Sequence, residues 1–416
     1  MSFRGKLCCA AVLLLATALL NGCGSDSTPP PSGKVVQGPV HGATVFADKI
    51  VSGTTGDYVM DSAEAATETL TDAQGNFKLP VTPAYNYVVV SKGGTDTSTG
   101  LPAIQLLAPA GSANISPLTT LVALDPTAKT KIETLGVKYD ADISKSSTSA
   151  ALLLAKSVET TIKTLTNAFA AAATTGGTSL TSAQVAVIQS TVATAIATEI
   201  AKPTSTLTDA SSLKGVLTTA LTTGLDAVKA SPTMSNVTVT ASSASVAATI
   251  ADVVTTVATQ IGPISTTTPV VETTIFTPTS AATTAVNGAI STTSSSVSTS
   301  VSVTPDTTPP TVTLVTPADG ATGVALNSVI TATFSEPINT ATFSISGLAG
   351  SVSYNGTTNT VTFTPAAPLA ANTTYTVTIG TNVKDLAGNA LATAKTWTFT
   401  TPTVTGTTGG SGSVNF

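Results

Sequence analysis

Thr374-Tyr375-Thr376-Val377-Thr378-Ile379 alternates apolar and hydroxyl side chains residue by residue, and Lys395-Thr396-Trp397-Thr398-Phe399-Thr400 does the same sixteen residues further on. Strict alternation is the mark of a strand with one buried and one solvated face. Five more short runs with this period precede them: Val312/Leu314, Ile330/Ala332/Phe334, Phe343/Ile345, Val352/Tyr354 and Val361/Phe363. Turn clusters such as Asp319-Gly320, Asn355-Gly356 and Ala387-Gly388-Asn389 lie between the runs. Seven strands at this spacing predict a two-sheet sandwich over residues 310–401. Tyr375, at the start of the sixth strand, is placed to bond back to the backbone just upstream of it.

The same stretch carries Pro309-Pro310, Phe334-Ser335-Glu336-Pro337, Phe363-Thr364-Pro365, Asp385-Leu386-Ala387-Gly388-Asn389 and Trp397-Thr398-Phe399-Thr400-Thr401. Together these resemble a bacterial Ig-like domain of the S-layer type. The resemblance implies a rigid spacer or adhesive module at a cell surface or in an envelope.

Upstream, residues 263–309 are dominated by Ser, Thr, Pro, Val and Ala, and Glu272 and Asp306 are their only charges. So little to bury predicts an extended linker. Residues 113–262 change period. Ala150, Leu153, Leu154, Val158, Ile162, Leu165 and Phe169 recur at helical spacing. Thr181-Ser182-Ala183-Gln184 reads as a capping box ahead of Val185, Ile188, Val192, Ile196 and Ile200. Further helices are expected over Leu213 to Val228 and, after Ser242 or Ser243, over Val246 to Ile261. Four amphipathic stretches predict a helical bundle, with an extended stalk as the rival. Gly176-Gly177 and Pro203 interrupt the pattern that a stalk would need.

Residues 35–112 return to short strands, Val35 to Val40, Ala43 to Ala47 and Tyr85 to Val90, with Thr71-Asp72-Ala73-Gln74-Gly75-Asn76-Phe77 as a turn. The Gly-Ala-Thr-Val strand followed by Thr-Asp-x-x-Gly-x-Phe resembles carboxypeptidase-regulatory-like and transthyretin-like β-sandwich modules, which implies a spacer or binding platform. The expected fold class is therefore multidomain: a transthyretin-like β-sandwich, an α-helical bundle and an Ig-like β-sandwich.

The N-terminus reads as an export signal. Arg4 and Lys6 precede an apolar run from Leu7 to Leu20, too short for the roughly 20 residues that span a bilayer. Leu20-Asn21-Gly22-Cys23 resembles the lipobox of bacterial lipoproteins, with Asn21 in place of the usual small or aliphatic residue. That resemblance implies cleavage of residues 1–22 and acylation of Cys23. Cys8 and Cys9 lie within the signal, so Cys23 would be the only cysteine left, and it has no partner for a disulfide. Two or three acyl chains anchor stably where one is marginal. Gly24 and Ser25, rather than Asp, follow the cysteine, and by the same resemblance this favours the outer membrane. Residues 23–34 are expected to form a lipidated tether and residues 402–416 a flexible tail.

Composition narrows the function. The 416 residues carry a net charge of -5, with 9% charged and 4% aromatic residues and one His, His41. Without residues 1–22, fifteen lysines and no arginine stand against twenty-two acidic residues. A basic, arginine-bearing surface for nucleic acid is thus missing. A single His rules out a multi-histidine metal site, and no nucleophile motif accompanies His41. It reads as a surface residue. Asp61, Glu64 and Glu68 read as a solvated loop or short helix. Asp140-Ala141-Asp142 opens like a calcium loop, but Lys145 and Ala151 occupy the positions that need Gly and Glu. Asp385 and Asn389 could approach Asp319 to hold calcium, although Asx turns explain the same residues. No catalytic residue, metal site or cofactor is expected, and the chain is not expected to be an enzyme. The expected role is a lipid-anchored structural or adhesive element of the envelope, touching the membrane through its anchor and meeting other surface proteins or glycans. The alternative is an anchored binding module for polysaccharide or peptide.

Overall fold

A computed structural model describes residues 29–50, 58, 60, 64–345, 348–355 and 358–403. The export signal, Cys23 and residues 404–416 of the tail lie outside the described residues.

The first part of the chain is built on two larger sheets and a short ribbon that pairs Val40–His41 with Thr95–Asp96. Thr44–Lys49 pairs antiparallel with Thr69–Leu70 on one side and Tyr87–Lys92 on the other, and Leu106–Pro109 closes the sheet beyond Tyr87–Lys92. Ser32–Val35 pairs antiparallel with Asn76–Lys78 and parallel with Asn114–Ile115. The expected tether therefore ends sooner than residue 34: Ser32, Gly33 and Lys34 are strand residues, and Lys34 reaches Asp142 at 3.6 Å. The turn around Gly75 forms as its residues dictate. Asp72 accepts from the amides of Gln74 and Asn76, and Gly75 takes φ +80° beside the Val35 carbonyl.

The helical region follows as α1 (Pro117–Leu124), α2 (Ala128–Glu133), α3 (Ser149–Thr175), α4 (Ser182–Ala201), α5 (Ala210–Ala230), α6 (Ser243–Ala251) and α7 (Val253–Ile261). Ser116 caps α1 with Pro117 at its first turn. Thr181 and Gln184 form the reciprocal capping box of α4, and Asp209 caps α5 by accepting from Ser212. The stretch expected to be one helix after Ser242 breaks at Asp252 into α6 and α7.

α3 is the centre. It is buried on every side from Ser149 to Leu165. A helix buried on every side needs partners on all faces, including partners for the charges it carries. They come from α1, α4, α7 and the strands, so one hydrophobic core runs from Val35 to Val303 through both sheets and helices. The strand region and the helical region share that core; they are not two stacked modules.

Residues 263–303 are not an extended linker. Pro269–Val270 pairs with Ser147–Thr148; α8 (Glu272–Ile275) and α9 (Ala281–Ser298) follow; Val301–Val303 pairs with Val237–Val239. α9 lies along α3 and α7 and buries Val286, Ile290 and Val297. Burying that stripe outweighs the weak helix propensity of a Ser/Thr-rich segment. Its hydroxyls find backbone acceptors both within the helix and across it, with Thr284 donating to the Ser280 carbonyl and Ser294 to that of Thr164 on α3. The backbone at Gly176 is pressed so close to the Val303 carbonyl that a Cβ would lie 2.0 Å from it.

The C-terminal sandwich has its own core. One sheet runs Val312–Thr316, Ile330–Phe334, Thr360–Pro365, Gly350–Asn355. The other pairs Thr374–Ile379 with Lys395–Thr400, flanked by single bridges from Ile345 to Ile379 and from Ala321 to Phe399. Four strands thus face a two-stranded ribbon that is bridged at each edge, in the manner of an immunoglobulin-like sandwich. The Phe343/Ile345 run is shorter than expected: it contributes only the Ile345 bridge, and Phe343 packs edge-on against Phe334. Trp397, Phe399, Val377 and Ile379 face Ile330, Phe334, Val361 and Phe363 across the interior.

Candidate functional site

The two bodies meet around residues 304–306. Asn236 and Thr304 exchange backbone and side-chain bonds: the Thr304 amide donates to the Asn236 carbonyl at 3.0 Å, and Asn236 Nδ2 donates to the Thr304 carbonyl at 2.6 Å. Gln184, already part of the α4 cap, donates from Nε2 to Asn236 Oδ1 at 2.7 Å. From the sandwich side, Asn389 Nδ2 donates to the Asp306 carbonyl at 3.0 Å. A cleft of about 260 Å³ lies between these groups, walled by the start of α4, by Pro232 to Asn236 and by the loops at Glu336 and Asp385.

Three carboxylates, Asp306, Glu336 and Asp385, converge in this cleft with oxygens within 4.8 Å of one another. Asp385 is buried and satisfied by Asn389, which donates from its amide and from Nδ2, each at 2.8 Å. Burial, followed by repulsion from Asp306 and Asp385, pushes Glu336 up to about 7. Hard oxygen donors of this kind suit a divalent cation in principle. Without one, a proton held on Glu336 relieves the same repulsion.

The expected grouping of Asp385 and Asn389 with Asp319 does not form. Asp319 instead accepts from the Thr398 amide at 2.9 Å. Asp306 and Glu336 take its place beside Asp385. The sequence held one pointer to this: Asp306 is one of only two charges in residues 263–309.

Glu272, the other, enters a second cluster in the core of the helical body. Lys156 and Lys163 of α3 grip Glu159, at 3.0 Å and 2.5 Å. Asp96, from a short strand of the first region, lies 3.7 Å from Lys163. Lys156 also meets Glu272 and the Gln37 carbonyl, with its Nζ 5.4 Å from the centre of the Phe276 ring. Burial alone would raise Asp96, but Lys156 and Lys163, then Ser98 and Thr99, hold it down to about 2. Burial works against a charged Lys156, yet Glu159, Glu272 and Asp96 raise it overall. For Glu272, burial wins and the carboxyl is raised.

The other sequence candidates settle plainly. His41 is exposed, on a two-residue strand paired with Thr95 and Asp96. Glu64 is buried rather than solvated and accepts from the Lys49 amide at 2.6 Å; Glu68 is exposed and Asp61 lies outside the described residues. Asp142 accepts from Ser144 and pairs with Lys34 and Lys145. Trp397, the sole Trp, is a core residue. Tyr375 does receive the backbone bond predicted for it, from the Ala370 amide at 2.8 Å.

Residues 306–401 match the family model of the bacterial Ig-like domain. Among solved structures, an L,D-transpeptidase from Mycobacterium smegmatis is 22% identical with a TM-score of 0.18, covering 23% of this chain and 41% of that one. The surface layer protein SbsC, domains 1-6, is 23% identical with a TM-score of 0.18, covering 29% and 16%. The N-terminal part of the S-layer protein SbsC is 24% identical with a TM-score of 0.18, covering 30% and 29%. The chain thus spans less than half the length of each. No curated protein matches the chain.

Proposed function

We propose that this chain is a lipid-anchored structural or adhesive protein of the bacterial cell envelope, without catalysis, that carries a bacterial Ig-like domain at the end away from its anchor. The observation that carries this reading is the bacterial Ig-like domain matched over residues 306–401. The lipobox-like Leu20-Asn21-Gly22-Cys23 supports the anchor, and the long α3 body supplies a packed base between anchor and display module. The outer membrane is the proposed address, from Gly24 and Ser25 after the cysteine. Other envelope proteins or surface glycans are the proposed partners.

Metabolic labelling with a clickable fatty acid tests the anchor, comparing the natural chain with Cys23→Ala. Label on the natural chain and its loss in the variant is expected; equal labelling of both removes acylation at Cys23. Protease shaving of intact cells then tests display. Release of the Ig-like domain is expected, and full protection places the folded part on the periplasmic face.

A further inference from the structure

The charges around Lys156 do not balance if every group is ionised. Two lysines, Lys156 and Lys163, stand among three carboxylates, Asp96, Glu159 and Glu272, and each of the five side chains is at most 5% exposed. An uncompensated charge in such a site is costly. One carboxyl has to be neutral for the cluster to close.

Geometry singles out which. Asp96 accepts from the Ser98 amide at 2.9 Å and from the hydroxyls of Ser98 and Thr99 at 2.6 and 2.7 Å, the environment of a carboxylate. Glu159 is held by a lysine at each oxygen. Glu272 is 0% exposed; among the described residues Lys156, at Oε1, is its one ion-pair partner, Asp96 and Glu159 act on it by repulsion, and its Oε2 has no hydrogen-bond partner. Beyond the cluster, Asp142 pairs with Lys34 and Lys145 in the loop of Ser144, whose carbonyl accepts from Thr273 beside Glu272 in sequence.

We propose that Glu272 enters the cluster as a neutral carboxylic acid, so that residues 263–303 form a strap latched onto α3 by one buried proton and loosened when alkali removes it. Glu272 is the strap's only charge, and α9, which follows it, covers α3 and α7. With the proton gone, the site holds a net negative charge that only opening to water relieves. Below the ordinary carboxyl range the latch is fully set, because both the closed and the open strap hold the proton. Between the ordinary and the raised pKa, each pH unit increases the ratio of open to closed strap about tenfold, as the release of one proton on opening requires, and above the raised value the ratio levels off.

The test is hydrogen exchange of residues 281–298 in the full chain between pH 6 and pH 10, with exchange times corrected for intrinsic base catalysis. The natural chain is expected to lose protection in α9 at alkaline pH while residues 330–379 keep theirs. Glu272→Gln, which mimics the neutral acid in size, is expected to fold normally and to keep α9 protected throughout. The carbon-13 resonance of the Glu272 carboxyl in the natural chain reads the proton directly. An ionised signal at neutral pH overturns the proposal. So does a Glu272→Gln variant whose folding equilibrium drops about a hundredfold or more, the signature of breaking a buried ion pair.

Discussion

The Ala370 amide donates to the Tyr375 hydroxyl at 2.8 Å, while the Tyr375 ring stacks on Phe399 with centroids 5.5 Å apart and planes 22° from parallel. One side chain therefore joins the loop entering the sixth strand, that strand itself and the last strand. Tyr375→Phe keeps the stack and removes the bond. Ala370 is exposed, so water can take up its amide, and the expected cost is about 1 kcal/mol. Tyr375→Ala also loses the stack, and the cost rises to about 3 kcal/mol. Urea denaturation followed through Trp397, the sole Trp and a core residue of this body, reads both directly.

Ile290 separates a packed strap from a passive linker. It is 3% exposed in the shared core, so Ile290→Ala is expected to cost about 2–5 kcal/mol. In a solvated linker the same change falls within about 0.5 kcal/mol. Circular dichroism melting of the helical signal distinguishes the two.

Glu336 gives the junction a pH dependence. Its folded pKa of about 7 lies above the ordinary 4.5, so between these values the folded chain holds a proton that the unfolded chain has released. The contribution is fully present below pH 4.5 and is lost as pH rises through 7. The sandwich is therefore expected to melt at a lower temperature at pH 8 than at pH 5, and Glu336→Gln to flatten that slope. An unchanged slope in the variant assigns the effect to other groups.

Gly38 has no room to spare. Its φ is +94°, and a Cβ there would lie 2.1 Å from Asp96 Oδ1. Gly38→Ala is strained by conformation and pushes on the carboxylate that faces Lys163. A loss of about 2–3 kcal/mol is expected, measured by chemical denaturation.

The legible part of the fold was whatever rested on local pattern. Alternation predicted the strands of the sandwich, and Thr181 with Gln184 announced the start of α4, because both signals are complete within a few residues. The strap was illegible for the opposite reason. Its composition is that of a linker, and its helix forms only because α3 offers a surface for Val286, Ile290 and Val297. The shared core was hidden likewise, since no local period says which of two amphipathic regions covers the other. Neither carboxylate cluster could be read from spacing, as Asp306, Glu336 and Asp385, or Asp96, Lys156 and Glu272, meet only after the chain has folded. The lone charges at 272 and 306 were the available hint: an ionisable residue kept in an otherwise uncharged stretch has a partner elsewhere.

The order in which the chain is made acquires a meaning from α9. α3 is synthesised well over a hundred residues before the last strand that pairs beside it, Val301–Val303. Until α9 and that strand emerge, the flank of α3 that they cover is left bare. The base can complete itself only late, just before the Ig-like domain begins to appear. A ribosome stalled near residue 262 would leave behind a sticky fragment rather than a smaller finished protein.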